Sequence, residues 1–323
     1  MKLGYFAFPI HPKNKNYYSC LREDQDAIIL CDKLGFHEAF IGEHLTDEYE
    51  RITSSQIFLS SLINLTKNIK LATGTINLPN THPVKVASNI SMLDHMSRGR
   101  IIMGIGPGSL VSDMEIMGNL KKKRNEMFLE AIKHVLDLWS KKPPYNLRGK
   151  YWNINTKKTY DKKLSIGSVV KPFQKPRPEI VLTSLSNNPH PIKALTSRGW
   201  NLLSSNFLNE NVLKTHFLSI QSIKRKKVNW RVARKIFVNY DKKVVNKYVF
   251  SSNSPYYKVV SQILSKLKKY NRLDVVKKNP LDKKEKIDIE ALMKKLIICG
   301  DPSTVSEKIL ELREKSGNFD TIT

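Results

Sequence analysis

Apolar residues fall along this chain in short, near-continuous runs, each followed by a polar or turn-forming cluster and then by a helix-length segment. Residues 71–118, LATGTINLPNTHPVKVASNISMLDHMSRGRIIMGIGPGSLVSDMEIMG, carry the pattern most fully. β-formers fill 71–78, and Pro79, Asn80, Thr81, His82 and Pro83 interrupt them. Residues 84–96 have the length of a helix, which Ser97-Arg98-Gly99-Arg100 ends. Residues 101–105 then predict a second strand, opening into Gly106-Pro107-Gly108-Ser109. Strands buried on both faces read as continuous apolar runs. In parallel α/β folds, sites are built where such strands end in polar, backbone-permissive clusters.

A helix-exit signature recurs. Helix-like residues 21–34, 192–197 and 305–315 run into Gly35, Gly199 and Gly317, and strand-like residues 38–41, 201–204 and 319–322 follow. A glycine just past a helix takes the left-handed conformation that closes its last turn. Strands are predicted at 3–8, 39–41, 71–78, 101–105, 180–183, 202–204, 233–239 and 319–322. Eight strands alternating with helices, joined by right-handed crossovers, predict an α/β fold of the (β/α)8 TIM barrel type, one domain over residues 1–323. Insertions are expected after strands 4 and 7: a β-type one at 145–178 containing GKYW, and a basic, mostly helical excursion at 242–295. A short basic loop is expected at 119–125. The last strand runs into Thr323, so the closing helix is expected to be missing.

Composition changes this picture little. The formal charge of +26 is concentrated in lysine runs at 121–124, 224–227, 266–269 and 283–286, with no aromatic-interleaved basic motif. These runs read as solvated peripheral faces, not as a nucleic-acid site. No apolar run reaches the roughly 18 residues of a membrane span, and MKLGYFAFPIHPKNK reads as a first strand, not a signal peptide. Cys20, Cys31 and Cys299 have neither metal-ligand spacing nor even pairing, which fits a reducing cytoplasm. HExxH, paired CxxC and GxSxG motifs do not occur, so no metal site is expected.

Candidate chemistry sits at the predicted strand ends. Glu43 and His44 close the second strand in IGEHLTD. A histidine there is suited to proton transfer because it titrates near neutrality, although such a histidine more often serves structure, and Glu43 more often orients a neighbour or caps a helix. Asn77, Asn80, Thr81 and His82 close the third strand, with His82 read as bonding the backbone. Gly74-Thr75 inside that strand marks close approach by a ligand or by another backbone. In Gly104-Ile105-Gly106-Pro107-Gly108, Ser109 stands where a dinucleotide fingerprint needs its third glycine, and the P-loop lysine is missing. So bare a backbone admits a flat ring, or is simply a tight strand exit. Asp113 starts or caps the next helical stretch. Ser184, Ser186, Asn187 and Asn188 precede helix-like 192–198 and could hold a phosphate, cap that helix, or both.

Four segments together carry a family likeness: GFHEAFIGEHLTD (35–47), ATGTINLPNTHPVKVA (72–87), MLDHMSRGRIIMGIGPGSLVSD (92–113) and GDPSTVSEKI (300–309). On these the chain resembles the bacterial luciferase-like family of flavin-dependent monooxygenases. The resemblance implies a TIM barrel with an excursion after strand seven. It implies FMN, supplied as FMNH2 by a separate flavin reductase and converted by dioxygen to the C4a-hydroperoxide that oxygenates the substrate. It places His44 at the catalytic position, a non-prolyl cis peptide at Gly74-Thr75 beside the isoalloxazine, and Gly106 against the ring, with Asn77 and Asp113 also on the cofactor side. Ser186, Asn187 and Asn188 would lie near the phosphate. Two departures set it apart from true luciferase: Leu45 replaces a second histidine, and Gly106-Pro107 replaces a cysteine-arginine pair, which removes a bidentate phosphate clamp. The chain is more similar to the limonene-monooxygenase-type branch, which implies a small apolar organic substrate, with Phe6, Phe8 and Leu45 as pocket walls; Phe6 and Phe8 could instead be plain core. A homodimer is also implied, and no nucleic-acid or membrane partner. Two alternatives stay open: a hydride-transfer oxidoreductase using a deazaflavin coenzyme on the same fold, and a non-catalytic or truncated flavin-binding relative.

Overall fold

The computed structural model describes residues 1–224, 227–277 and 286–323, so parts of the basic runs at 224–227 and 283–286 and of the 242–295 excursion lie outside the described residues. The chain forms two compact units, Leu3–Leu182 and Met1–Lys2 with Thr183–Thr323.

In the first unit, β1 (Lys2–Ala7), α1 (Tyr17–Lys33), β2 (Glu38–Ile41), α2 (Ser55–Leu62), β3 (Lys70–Thr73), β4 (Ile76–Asn77), α3 (Pro83–Met96) and β5 (Ile101–Gly106) alternate as predicted. α4 (Val111–Ile116), α5 (Arg124–Ser140), β6 (Asn146–Leu147), β7 (Ile154–Asn155) and β8 (Glu179–Ser184) follow. The long strands pair in parallel: Gly4 with Glu38, Glu38 with Lys70, Leu71 with Ile101, and Ile102 with Glu179. The apolar runs explain this. Phe40, Ile41, Leu71, Ala72, Met103, Ile105 and Ile180 are fully buried, as strands covered on both faces must be.

The predicted third strand is not continuous. It breaks into β3 and β4 at a cis Gly74-Thr75 peptide, and residues Leu78–Asn80 form a 3-10 turn. Close backbone approach is the reason. A Cβ on Gly74 would lie 3.0 Å from the Ile41 nitrogen of β2, and one on Gly104 would lie 1.8 Å from the Thr73 carbonyl oxygen. His82 is the N-cap of α3, its ring accepting from Val84 N at 3.3 Å, in line with its backbone reading.

The expected β-type insertion is present: β6 and β7 pair antiparallel, and Asp161 bridges Ile166. Glu130 of α5 anchors it, its carboxylate accepting the backbone N–H groups of Lys150, Tyr151 and Trp152 at 2.8–2.9 Å. Gly149 is required beside it, because a Cβ would sit 2.1 Å from Glu130 Oε1. Lys171 donates from Nζ to the Leu138 and Lys141 carbonyls, placing a cation at the C-terminal end of α5.

The second unit continues with α6 (Pro189–Thr196), β9 (Asn201–Ser204), α7 (Glu210–Gln221), β10 (Trp230–Val232), β11 (Lys235–Val238), α8 (Lys242–Val245) and α9 (Pro255–Lys269). α10 (Ile289–Leu296), β12 (Ile297–Gly300), α11 (Pro302–Ser316) and β13 (Thr321–Ile322) complete it. Here one expectation fails. The strand between β9 and β13 is β10, pairing Trp230 with Leu202 and Arg231 with Thr321, whereas the predicted 233–239 strand is β11, which pairs in parallel with β12. Two neighbouring β-forming runs compete, and packing selects the one with Trp230. Its indole stacks on Phe217, meets Phe319 edge-on and donates to Ser204 Oγ at 2.8 Å. The predicted 319–322 strand is shortened to Thr321–Ile322. The described part of the basic excursion carries α8, α9 and α10 over buried Val249, Val260, Leu292, Met293 and Leu296. Gly35, Gly199 and Gly317 all have positive φ, as the helix exits require. Among the described residues no helix is long and apolar enough to cross a membrane.

Glu130→Ala strips three N–H groups of their acceptor and is expected to cost about 1–3 kcal/mol of stability. Burial raises the Glu130 pKa, but the three N–H bonds outweigh it and hold the carboxyl below its usual value. Its contribution is therefore present above the ordinary carboxylate pKa and lost as pH falls through the folded value. Urea denaturation should show the gap to wild type at neutral pH and its loss in acid; an equal gap at both would refute the anchor.

Candidate active site

The site grows from the carboxyl end of β2. Gly42 leaves the space that Phe8 occupies, since a Cβ there would lie 2.2 Å from the Phe8 ring. Phe8 then stacks on His44 at 5.3 Å and 26°, and meets Phe6 edge-on at 5.6 Å. Both phenylalanines are half-buried, and Leu45, which follows His44, is 44% exposed.

His44 is held from two sides. Its Nδ1 lies 2.9 Å from Asp113 Oδ2, and its Nε2 is at ion-pair distance, 3.4 Å, from Glu50 Oε2. The side chains of His44, Asp113 and Glu50 are only 12%, 3% and 11% exposed. Asp113 lies in the first turn of α4, where Leu110 is the N-cap, so it starts the helix and does not cap it. Its second oxygen accepts from Leu45 N at 3.1 Å, Thr46 N at 2.9 Å and Thr46 Oγ1 at 2.6 Å. The residue assigned to the cofactor side thus spends both oxygens on the histidine loop.

The electrostatics follow from this geometry. Burial works against charge on the His44 ring, but the Asp113 bond and the fields of Glu50, Asp113 and Asp47 outweigh it, and the pKa is raised. Burial also pushes the Asp113 carboxyl upward, yet the bonds from His44, Thr46 and Leu45 prevail and leave it below its usual value. Glu43 has a different task. It accepts from Ser55 N, Ser55 Oγ and Asn77 N, joining the start of α2 to β4. Burial raises its pKa, and those bonds offset the rise only in part.

Gly74, Thr75, Asn77 and Gly106 come together at the ends of β3, β4 and β5. Asn77 is in register with Gly106, and a Cβ on Gly106 would lie 2.9 Å from Thr75 Oγ1. Sequence reasoning missed two residues near these ends. One is Glu50; the other is Arg124, which begins α5 and donates to the Gly108 carbonyl at 3.1 Å. Arg124 lay inside a lysine-rich loop that read as a solvated face.

Ser186, Asn187 and Asn188 lie in the second unit and are exposed. Asn188 caps α6 through His190 N, Ser186 Oγ accepts from Asn188 N, and the Ser186 carbonyl accepts from the buried His216 Nε2 at 2.7 Å. Burial pushes the His216 pKa down to about 4, against the opposing pull of the Ser186 bond, so at neutral pH the ring is an uncharged clip on this turn.

The fold is a (β/α)8 barrel. It is shared over 100% of this chain and 91% of the other, at TM-score 0.86 and 23% identity, with the oxygenating constituent of 3,6-diketocamphane monooxygenase from Pseudomonas putida. That protein is described as a type II Baeyer-Villiger monooxygenase in complex with FMN. The chain belongs to the luciferase-like monooxygenase family, whose model matches residues 1–318. It is similar to 2,5-diketocamphane 1,2-monooxygenase 2 of Pseudomonas putida, 26% identical over 98% of this chain and 90% of that protein. It is also 35% identical to limonene 1,2-monooxygenase of Rhodococcus erythropolis over 39% of this chain, a match spanning 33% of that enzyme's length.

Asp113→Ala should destabilise the protein by about 3 kcal/mol, because it leaves His44 and two backbone N–H groups without their anion. The lowered Asp113 pKa makes this contribution present above about pH 4 and lost below it, and the raised His44 pKa makes it full below about pH 6.5 and fading above. Chemical denaturation across pH should find the gap to wild type widest between those limits; a flat gap would contradict the pairing.

Proposed function

We propose that this protein is a flavin-dependent monooxygenase acting on a small apolar organic compound. The observation that carries the reading is His44, a histidine at a strand end locked between carboxylates and an aromatic face in a chain of this family. Gly106 bears no side chain because Thr75 lies where its Cβ would be, and with the turn at Gly74-Thr75 it forms the backbone proposed to meet a flat ring. Reduced FMN, when bound, supplies the two electrons and the site for dioxygen. The residues of this chain do the rest. Gly74, Thr75, Asn77 and Gly106 seat the ring, and Asp113 acts through His44. Phe6, Phe8 and Leu45 exclude water and line the substrate pocket.

His44 holds a proton at the rim and passes it to an oxygen of the reacting group. Arg124 fixes the Gly108 turn through its bond to the Gly108 carbonyl. In the Ser186 to Asn188 turn the Ser186 and Asn188 N–H groups are taken by Ser184 Oγ and Ser186 Oγ, and the side-chain amides of Asn187 and Asn188 are the donors suited to an anion. A separate flavin reductase is proposed as the source of FMNH2; the description of the Pseudomonas relative as an oxygenating constituent supports this. A homodimer and a reducing cytoplasm belong to the same proposal. Exposed Ile57, Met92 and Met96 supply apolar surface for the first, and the buried free thiols Cys20, Cys31 and Cys299 suit the second.

Mixing the protein with FMNH2 in air and a panel of terpenes, sulfides and ketones should consume oxygen and yield an oxygenated product. His44→Ala should lower that rate about tenfold or more while leaving FMN affinity nearly unchanged. Gly106→Val should weaken FMN binding about tenfold, about 1.4 kcal/mol. Oxygen left unconsumed, with tight binding of a deazaflavin instead, would replace the monooxygenase with a hydride-transfer enzyme.

A further inference from the structure

We infer that Glu50 is a positioning residue that keeps a proton on the His44 side chain, so that His44 enters the reaction as a proton donor and not as a base. The inference rests on the proposed flavin chemistry for its consequence, but its premise is geometric. Asp113 Oδ1 is filled by three donors from Leu45 and Thr46, so Oδ2 is the oxygen that faces His44 Nδ1, 2.9 Å away. An ionised carboxylate can only accept, which makes Nδ1 the donor. A neutral ring would then turn the lone pair of Nε2 toward Glu50 Oε2 at 3.4 Å, setting two acceptors against one another in a site nearly closed to solvent. Protonation of Nε2 removes that repulsion, and the three groups then carry two negative charges and one positive.

The backbone that carries Glu50 is held in place, and its side chain is only 11% exposed. Its turn is closed by Glu50 N donating to the Asp47 carbonyl at 3.2 Å and by Asp47 Oδ1 accepting from Tyr49 N. Ile10 bridges Glu50, and His11 N donates to the Tyr49 carbonyl. The ring itself is pinned by Phe8 on its face and by His44 N donating to Ile52 O at 3.1 Å. Among the described residues, the charged groups that act most strongly on the ring are acidic: Asp113 from α4 and Glu50 and Asp47 from the loop, with Glu43 at the end of β2 also paired to it through space. Because the 3.4 Å separation from Glu50 is an ion-pair and not a hydrogen-bond distance, the Nε2–H is not spent on Glu50: in the reaction the Nε2–H bond breaks, an O–H bond forms on the acceptor, and the neutral ring is recharged by a proton from water.

The test is the titration of the His44 ring by nitrogen-15 NMR, without flavin, in the wild type, Glu50→Gln and Glu50→Asp. The wild-type ring should stay charged well above the ordinary histidine value of about 6.5. Glu50→Gln should lower its midpoint by about one unit or more, and Glu50→Asp should restore part of the shift. With FMNH2 and air, the alkaline limb of kcat/KM should move down by the same amount while the KM for FMNH2 stays put. A ring midpoint unmoved in Glu50→Gln overturns the inference, and so does a moved midpoint with an unmoved rate profile. Because the ring is read without flavin, a wild type that titrates as expected but oxygenates nothing overturns the proposed function and not the pairing. Should Glu50→Gln fail to fold, Glu50→Asp against wild type supplies the same comparison.

Discussion

A single hydrogen bond, from His44 to Asp113, fixes more of this protein than its length suggests. It spans 69 positions of sequence and joins the end of β2 to the first turn of α4. The same carboxylate gathers the Leu45 and Thr46 backbone, so the loop that carries His44 takes its shape from a group on another element. A buried carboxylate is costly unless it is bonded on every side, and here each bond that satisfies Asp113 also orients the histidine or its loop. Stability and ring orientation therefore rest on the same atoms.

The surroundings respect that constraint. Gly42 has no side chain because Phe8 must lie over it to reach the ring. Glu43 turns the other way, onto Ser55 and Asn77, and so ties the strand end carrying His44 to the one facing Gly106. Two adjacent acids thus do unlike work because their hydrogen-bond partners differ: Glu43 braces backbone, while Glu50 faces an imidazole. Charge at the site is local and acidic, whereas the excess of lysine over the rest of the chain gives the protein its formal +26. Bulk charge and site charge have opposite sign, and only the second bears on the chemistry.

What was legible in the chain was whatever depends on short-range pattern. Continuous apolar runs announced the strands; Gly35, Gly199 and Gly317 marked the helix exits, and each has the positive φ that closing a helix requires. His44, Gly74, Thr75, Asn77 and Gly106 could be singled out because each stands at a strand end or inside a strand where its type is unusual. The one misplaced strand, 233–239 instead of Trp230–Val232, shows the limit of that reasoning. Both runs are good β-formers, and the choice between them was made by Phe217, Phe319 and Ser204, all distant in sequence.

The sequence by itself determined the alternation of strand and helix, the insertions, and the family, since these depend on periodicity, on caps and on motifs read within a few tens of residues. Only the tertiary structure decided which acids matter. Asp47, Glu48 and Glu50 sit within four positions of one another and look alike on paper, yet a tight turn and a bridge to Ile10 aim Glu50 alone at His44 Nε2. Asp113 read as a helix-starting residue until the fold brought α4 against the histidine loop. The protonation of a histidine depends on the charges within a few ångströms of it in space, and that distance is set by packing, which no local pattern encodes.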